Sequence, residues 1–413
     1  MSGAAITEKY EYKTDIITSY DGHEQRIKTR QEPRHFLSYD YPAMTCFDAQ
    51  WLRGLGRMRQ TDTYYVPMWQ SVVYLREDFL EGKALYVQEE DMYNLRDCEY
   101  IEIFSHDDFS QGGVNLVRKV SVYGDGLIGV KKTIPRKLSK RNTWIFPLKK
   151  CSVQPMGNLQ YLFANGTQVT HNFEDLLQKP ISAVIPDKYL SDYETYKGKN
   201  RWKLIDSIDG YEILQIEPTW ADDSAVTLSV DKATNRLDNE TGIFWYDLKN
   251  VNSYDVHTYQ YTLLNQAMIH NMIRFFHRVC GMWKGFYYPT WVNDIEILND
   301  VRSDENFIYT KWNKISQYYL NNKRKKKLVI FTKDWKTYIF DILTYVEEYD
   351  TPTSTVGKII FMTNAGVSIS KSNILMASYM NLVRLDSDEL QLNYETNVTA
   401  NTTLVMREID DMQ

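Results

Sequence analysis

Tyr65-Val66-Pro67-Met68-Trp69 is written a second time as Tyr287-Tyr288-Pro289-Thr290-Trp291, with the two prolines 222 positions apart. Each copy follows a helical pattern and precedes a run of short strand-like segments. Before the first copy, Thr45 and Asp48 have the spacing of a capping box. Behind them Phe47, Trp51, Leu55 and Met58 fall on one face of a helix. Before the second copy, Leu264, Met268, Met272, Phe276 and Val279 form a stronger stripe, with Gly281 placed as a stop. A shift of 221 carries the four apolar positions of the first helix onto Met268, Met272, Phe276 and Val279. A shift of 222 aligns His35 with His257 and Tyr39 with Tyr261. Toward the ends, Leu159-Gln160 and Phe173-Glu174 pair with Leu390-Gln391 and Arg407-Glu408. The common order of these matches predicts an internal duplication.

Strand-like runs after the first copy lie at 71–75, 84–88, 100–104, 115–123, 127–132, 144–148 and 159–163. After the second they lie at 294–298, 307–310, 328–332, 337–346, 358–362, 374–385, 390–394 and 402–406. Turn residues such as Gly112-Gly113, Asp125-Gly126 and Asn165-Gly166 punctuate them. Many short strands with little helix predict a mainly β fold, as two tandem related barrel or sandwich domains with one packing helix each. The expected boundaries are 1–177, an ordered connector at 178–240 and a second domain at 241–413. In the connector, Trp202, Tyr211 and Trp220 call for burial. Residues 10–41 read as polar and Tyr-rich with a turn at Asp21-Gly22, and Arg26, Lys28, Arg30 and Arg34 form a loose basic cluster, a solvated strand edge or an interface arm.

The 31 tyrosines among 413 residues suit either wet subunit interfaces or half-buried strands. A net charge of −6 gives no global pull toward nucleic acid or anionic membranes. No apolar run approaches the roughly 20 residues of a membrane-spanning helix. The opening residues lack the basic-then-apolar run of a signal peptide, and the four cysteines stand far apart without a Cys-x-x-Cys pair. Synthesis in a cytoplasm is the expectation, and sequons such as Asn165-Gly-Thr then mean only turns.

The chemical motifs that would mark an enzyme are missing. There is no phosphate-binding loop and no His-Glu-x-x-His. His270 and His277 share a side of the second helix, but no third ligand completes a metal set. Ser368-x-x-Lys371 lacks the companion motifs of a Ser-Lys nucleophile and reads as a turn. The basic stretches at 118–150 and 323–327 could contact phosphates or an acidic partner, but in an acidic protein strand-connecting loops that blunt sheet edges with lysine are the favoured reading. No catalytic, cofactor-binding or metal-ligating residue is expected.

Arg30-Gln-Glu-Pro33-Arg34, a helix and then Val66-Pro67-x-Trp69 resemble minor tail proteins of tailed bacteriophages. Phe275-Phe276-x-Arg278-x-x-Gly281, followed by Pro289-Thr290-Trp291 and Asp294, is similar to the helix-to-Pro-Thr-Trp segment of that family. Arg384-x-Asp386-Ser387-Asp388-x-Leu390, with Glu408, resembles its closing strand pair. Tyr287-Tyr288 stands where the family pattern has Phe-Trp. The resemblance covers most of both halves and leaves out 178–240. It implies a non-enzymatic virion protein at the distal tail or baseplate, a ring linking the tail tube to hub, fibre or receptor-binding proteins. Pro67, Trp69, Pro289, Trp291, Arg384 and Asp386 are then structural and assembly residues, and two like units per chain suit a homo-trimer or hexamer. The competing expectation is a glycan-binding or glycan-degrading module of a tail fibre.

Overall fold

A computed structural model of the chain describes residues 5–19, 23–43, 45–55, 63–95, 98–106, 114–124, 126–153, 159–163, 166–176, 207–214, 216–220, 226–231, 234–238, 240–242, 244–248, 254–312, 327–351 and 354–409. The fold is mainly β, built from antiparallel ladders. The first strands are β1 (Ile6–Glu11), the hairpin β2 (Thr14–Thr18) and β3 (Glu24–Lys28), and β4 (Arg34–Ala43). After α1 (Cys46–Leu55) come β5 (Thr63–Pro67), β6 (Val73–Tyr74), β7 (Gly82–Tyr86), β8 (Tyr100–Ser105), β9 (Val114–Gly124), β10 (Leu127–Ile134), β11 (Thr143–Val153), β12 (Leu159–Phe163) and β13 (Gly166–Asp175). The short pair β14 (Ser207–Ile208) and β15 (Tyr211–Glu212) precedes β16 (Thr227–Asp231) and the hairpin β17 (Thr234–Asp238) and β18 (Phe244–Leu248). Then follow β19 (Tyr254–Leu263), α2 (Gln266–Val279), β20 (Phe286–Pro289), β21 (Phe307–Lys311), β22 (Lys327–Thr332), β23 (Thr337–Thr351), β24 (Ser354–Phe361), β25 (Ile374–Leu385), β26 (Glu389–Tyr394) and β27 (Ala400–Glu408).

The pairings of the first half recur in the second in the same order. β4 lies on β13 with Leu37 opposite Phe173, and β19 lies on β27 with Tyr259 opposite Leu404. β5 meets β11 at Pro67–Leu148, and β20 meets β25 at Pro289–Met380. The long strand then passes to a further ladder, β11 to β8 and β25 to β22. From there the order runs β9, β10, β7 on one side and β23, β24, β21 on the other. β1 lies on β4, with Lys9 opposite Phe36, as β16 lies on β19, with Thr227 opposite Thr258. The hairpins β2–β3 and β17–β18 occupy equivalent places. In both halves one long strand changes partner along its length and so turns the corner of the architecture.

Alternation explains the ladders. β19 buries every second residue, Asp255, His257, Tyr259, Tyr261 and Leu263, as a sheet with one covered face requires. β22 is buried throughout because both its faces are covered. α2 forms over its predicted stripe. Asn265 caps its start by accepting a bond from the Met268 amide, and Cys280 (φ 55°) and Gly281 (φ +65°) end it in left-handed conformations. At Gly281 a Cβ would strike the Asp388 side chain, so the stop is also a close approach. The capping box of α1 forms as well: Thr45 Oγ1 accepts the Asp48 amide at 3.1 Å.

Several sequence expectations change. The run 294–298 makes one isolated bridge, at Ile297, instead of a strand. β1 to β4 carry regular ladders through the stretch that reads only as polar and Tyr-rich, because its tyrosines alternate inward. Met406 takes the place of Phe173, one residue before Arg407, because Leu385 faces Met406 as Val153 faces Phe173 and register follows the inward face. The division at 240/241 falls between the two strands of the β17–β18 hairpin. Trp220 is half-exposed, its indole donating to Glu217 at 3.3 Å, and Trp202, Met58 and most of the 323–327 run lie outside the described residues.

Pro67 and Pro289 each close a strand, and the following tryptophans cover cores. Trp291 is 5% exposed and packs on Phe331 at 5.1 Å, whereas Trp69 is only partly buried against Phe146 at 4.8 Å. Trp291→Ala is expected to cost about 3–5 kcal/mol, and Trp69→Ala distinctly less. Urea unfolding of both variants checks this; equal losses would contradict the packing difference.

Candidate assembly site

The two halves are joined by the N-terminal strand. β1 is paired along both edges, with β4 on one side and with β26 on the other, where Ile6 faces Tyr394 and Tyr10 faces Leu390. One strand from the start of the chain thus closes a continuous sheet across both halves. Ile6, Glu8 and Tyr10 share the face of β1 that turns inward.

Glu8 is fully buried at the centre of this joint. Its carboxyl accepts hydrogen bonds from the hydroxyls of Tyr10 and Tyr394, both at 2.7 Å, and from Gln70 Nε2 at 3.4 Å. His35 Nε2 lies 2.8 Å from the same carboxyl, and His35 Nδ1 lies 3.3 Å from Asp175 Oδ2. Tyr10 stacks on the His35 ring at 4.5 Å, and Lys149 reaches Asp175 at 3.5 Å. Burial of a carboxyl is tolerable only with such a set of partners. The Glu8–His35–Asp175 string has the residue types of a catalytic relay, but all three side chains are sealed from solvent. Its geometry fixes β1 against β4, β13 and β26.

A second cluster clamps the β2–β3 hairpin onto the opposite half. Arg384, 4% exposed, makes a two-pronged contact with Glu24 at 2.8 and 2.9 Å, and its third nitrogen bonds Asp386 at 2.8 Å. Burial pushes the Glu24 carboxyl up, but the Arg384 bonds and charge outweigh it and hold the group below its ordinary range. Asp388 accepts the Thr14 hydroxyl at 2.9 Å and the Met282 amide at 2.8 Å, while its carbonyl takes the Tyr12 amide at 2.9 Å. Lys28 lies over the rings of Tyr12 and Trp283, at 5.4 and 5.5 Å. The Arg-x-Asp-Ser-Asp segment therefore receives the N-terminal arm.

The other candidates lie apart. Thr290, Trp291 and Asp294 form a turn in which Asp294 accepts the Thr290 hydroxyl and the Tyr379 amide. Burial pushes the Asp294 carboxyl up to about 6, against the lowering effect of those two bonds. His277 meets the Tyr12 hydroxyl at 3.2 Å, and His270 is buried; among the described residues no group of three His, Cys, Asp or Glu could hold a metal. Ser368 and Lys371 sit on an exposed loop beside Asp300. Lys327 is buried between Asp209 at 2.7 Å and Asp341 at 2.5 Å, so the described end of the second basic run is an internal ion pair. An open cleft of about 470 Å³ is lined by Arg26, Arg278 and Lys284, with Arg278 held by Glu212 at 2.7 Å. No helix among the described residues is long and apolar enough to cross a membrane.

Sequence reading singled out Arg384 and Asp386 and overlooked their partner Glu24, because the two lie 360 positions apart. It noted His35 only as one half of a repeat. Glu8 carried one visible signal, a carboxylate at inward parity between Ile6 and Tyr10. No family model matches the sequence, and no curated protein matches it either.

Glu8→Ala would strand two tyrosine hydroxyls and His35 in the interior, and is expected to cost about 3–5 kcal/mol, read by urea unfolding. Asp294 gives a pH test. Its pKa is raised on folding, so its contribution is fully present below about 3.8 and is lost as pH rises through about 6. Asp294→Asn should therefore gain on the parent by up to about 3 kcal/mol between pH 4 and pH 7. His257, pushed down to about 4 by burial, titrates in the opposite sense over this range but is common to both proteins and cancels. A parent-to-variant difference that does not move with pH would refute the assignment.

Proposed function

We propose that this chain is a structural virion protein of a bacteriophage tail, forming a homo-oligomeric ring at the distal tail or baseplate between the tail tube and hub or receptor-binding proteins. The observation that carries the reading is the edge-to-edge joint made by β1, which sets two halves with the same ladder order side by side in one sheet. Repetition of a unit within a chain is what a ring-former needs when fewer chains must match a sixfold tube. The residues of the family-like segment, Arg384, Asp386 and Asp388, serve this joint and hold the N-terminal arm. The Glu8–His35–Asp175 string also serves structure, since no side chain in it reaches solvent. The two halves are read as copies of one ancestral unit.

Mass spectrometry of purified virions should find the chain at a copy number divisible by three, and labelled antibody should decorate the tail tip. Native mass in solution should be three or six protomers. Absence from virions would defeat the tail reading, and any other native mass would remove the ring stoichiometry.

A further inference from the structure

The joint between the halves has a donor and an acceptor, and each has an unused counterpart elsewhere in the chain. The donor is β1 with the β2–β3 hairpin; its counterpart is β16 with the β17–β18 hairpin. The acceptor is β26 with α2; its counterpart is β12 with α1. Among the described residues β16 has one ladder partner, β19, and β12 has one, β13.

Exposure follows the same division. Tyr10 is 2% exposed under the joint, and Leu228 and Val230, on the equivalent face of β16, are 53% and 54% exposed. On the acceptor side α1 turns Phe47 and Trp51 to solvent, 76% and 60% exposed, at the positions where the equally capped α2 carries Ala267 and Asn271. The β2–β3 hairpin is clamped by Arg384 and Asp388. The β17–β18 hairpin instead turns Leu237, Trp245 and Tyr246 to solvent, with Trp245 73% exposed. β16 reads Thr-Leu-Ser-Val-Asp. It carries neither lysine nor proline, the residues that usually guard an open edge against pairing.

We infer that β16 of one chain pairs with β12 of a second copy, and that the β17–β18 hairpin docks beside that copy's α1, repeating between chains the joint that β1 makes within one. The occupant is a second copy because the chain already contains this contact in covalent form, between halves of matching ladder order. The contact is head-to-tail, so each added chain presents a fresh β12 edge and a fresh β16 edge until the ring closes. Apolar side chains on both surfaces supply the drive, as Tyr10 and Met272 do inside the chain. The inference rests on the ring reading above and specifies its interface.

The test uses the full chain. Thr227→Cys is combined in turn with a single cysteine at each position of β12, Leu159–Phe163, and oxidised. By analogy with Lys9 opposite Gln391, the strongest bond is expected with Gln160→Cys. Species of two or more chains should appear on a denaturing gel and be absent from every variant that carries only one of the two added cysteines. Lys9→Cys with Gln391→Cys, the internal equivalent, should close within one chain. Leu228→Lys should weaken self-association at least tenfold while leaving the thermal unfolding of the dissociated chain unchanged. An oligomer indifferent to Leu228→Lys, with no cross-link at any β12 position, would overturn this interface and leave a ring by another contact standing. A chain that stays single at every concentration would overturn both the interface and the ring. Cross-linked rings absent from virions would spare the interface and defeat the tail reading.

Discussion

A single strand with both edges satisfied holds this molecule together. β1 takes backbone hydrogen bonds from β4 and from β26, so the order of each half is conditional on the other. Backbone pairing alone would allow β1 to slip along its partners, since ladder bonds repeat every two residues. The Glu8 carboxyl removes that freedom. Tyr394, His35 and Gln70 converge on it from three other segments, and a two-residue slip of β1 would bury the carboxyl without them. Apolar packing around Tyr10, Leu390 and Leu392 supplies most of the stabilisation, and the polar network supplies the register.

The clamp at Arg384 extends this logic to the surface. A two-pronged guanidinium–carboxylate contact is directional, so it sets the angle of the hairpin as well as its position. Asp388 adds a capping function, accepting from the N-terminal arm and from the chain just after α2. Gly281 is required there because the backbone turns left-handed against Asp388. The arm, the end of the helix and the closing strand pair are thereby fixed by one short acidic segment.

Much of this was legible in the sequence where periodicity is strong. The stripe of α2, the runs that became β8 to β12 and β22 to β26, and the Thr45–Asp48 cap lie close to where alternation and capping chemistry put them. Reading failed where the signal is not local. β1 to β4 looked polar because many of their inward positions are Tyr, Glu or His, residues whose burial depends on partners in other strands, as far off as Tyr394 for Glu8. The run at 294–298 is apolar enough for a strand, yet the Asp294 turn and Val292 bind the backbone and side chains of β25 instead. The Pro-Trp stretches close strands over cores. Arg384 and Asp386 stood out by motif, while Glu24, which completes their geometry, carried no motif at all.

The ladder between Ile6 and Tyr394 also dictates a timetable. The two residues lie 388 positions apart, so at ribosomal rates of 5–20 residues per second the partner of β1 emerges on the order of 20–80 s after it. Until then one edge of β1 has nothing to close on, and Glu8 lacks the bond from Tyr394. Contacts of such separation carry a large loop-closure cost and form late. Closure of the chain upon itself is therefore a late step of its folding, and until it occurs the nascent N-terminal half presents an open strand edge that a neighbouring nascent chain could fill in its place.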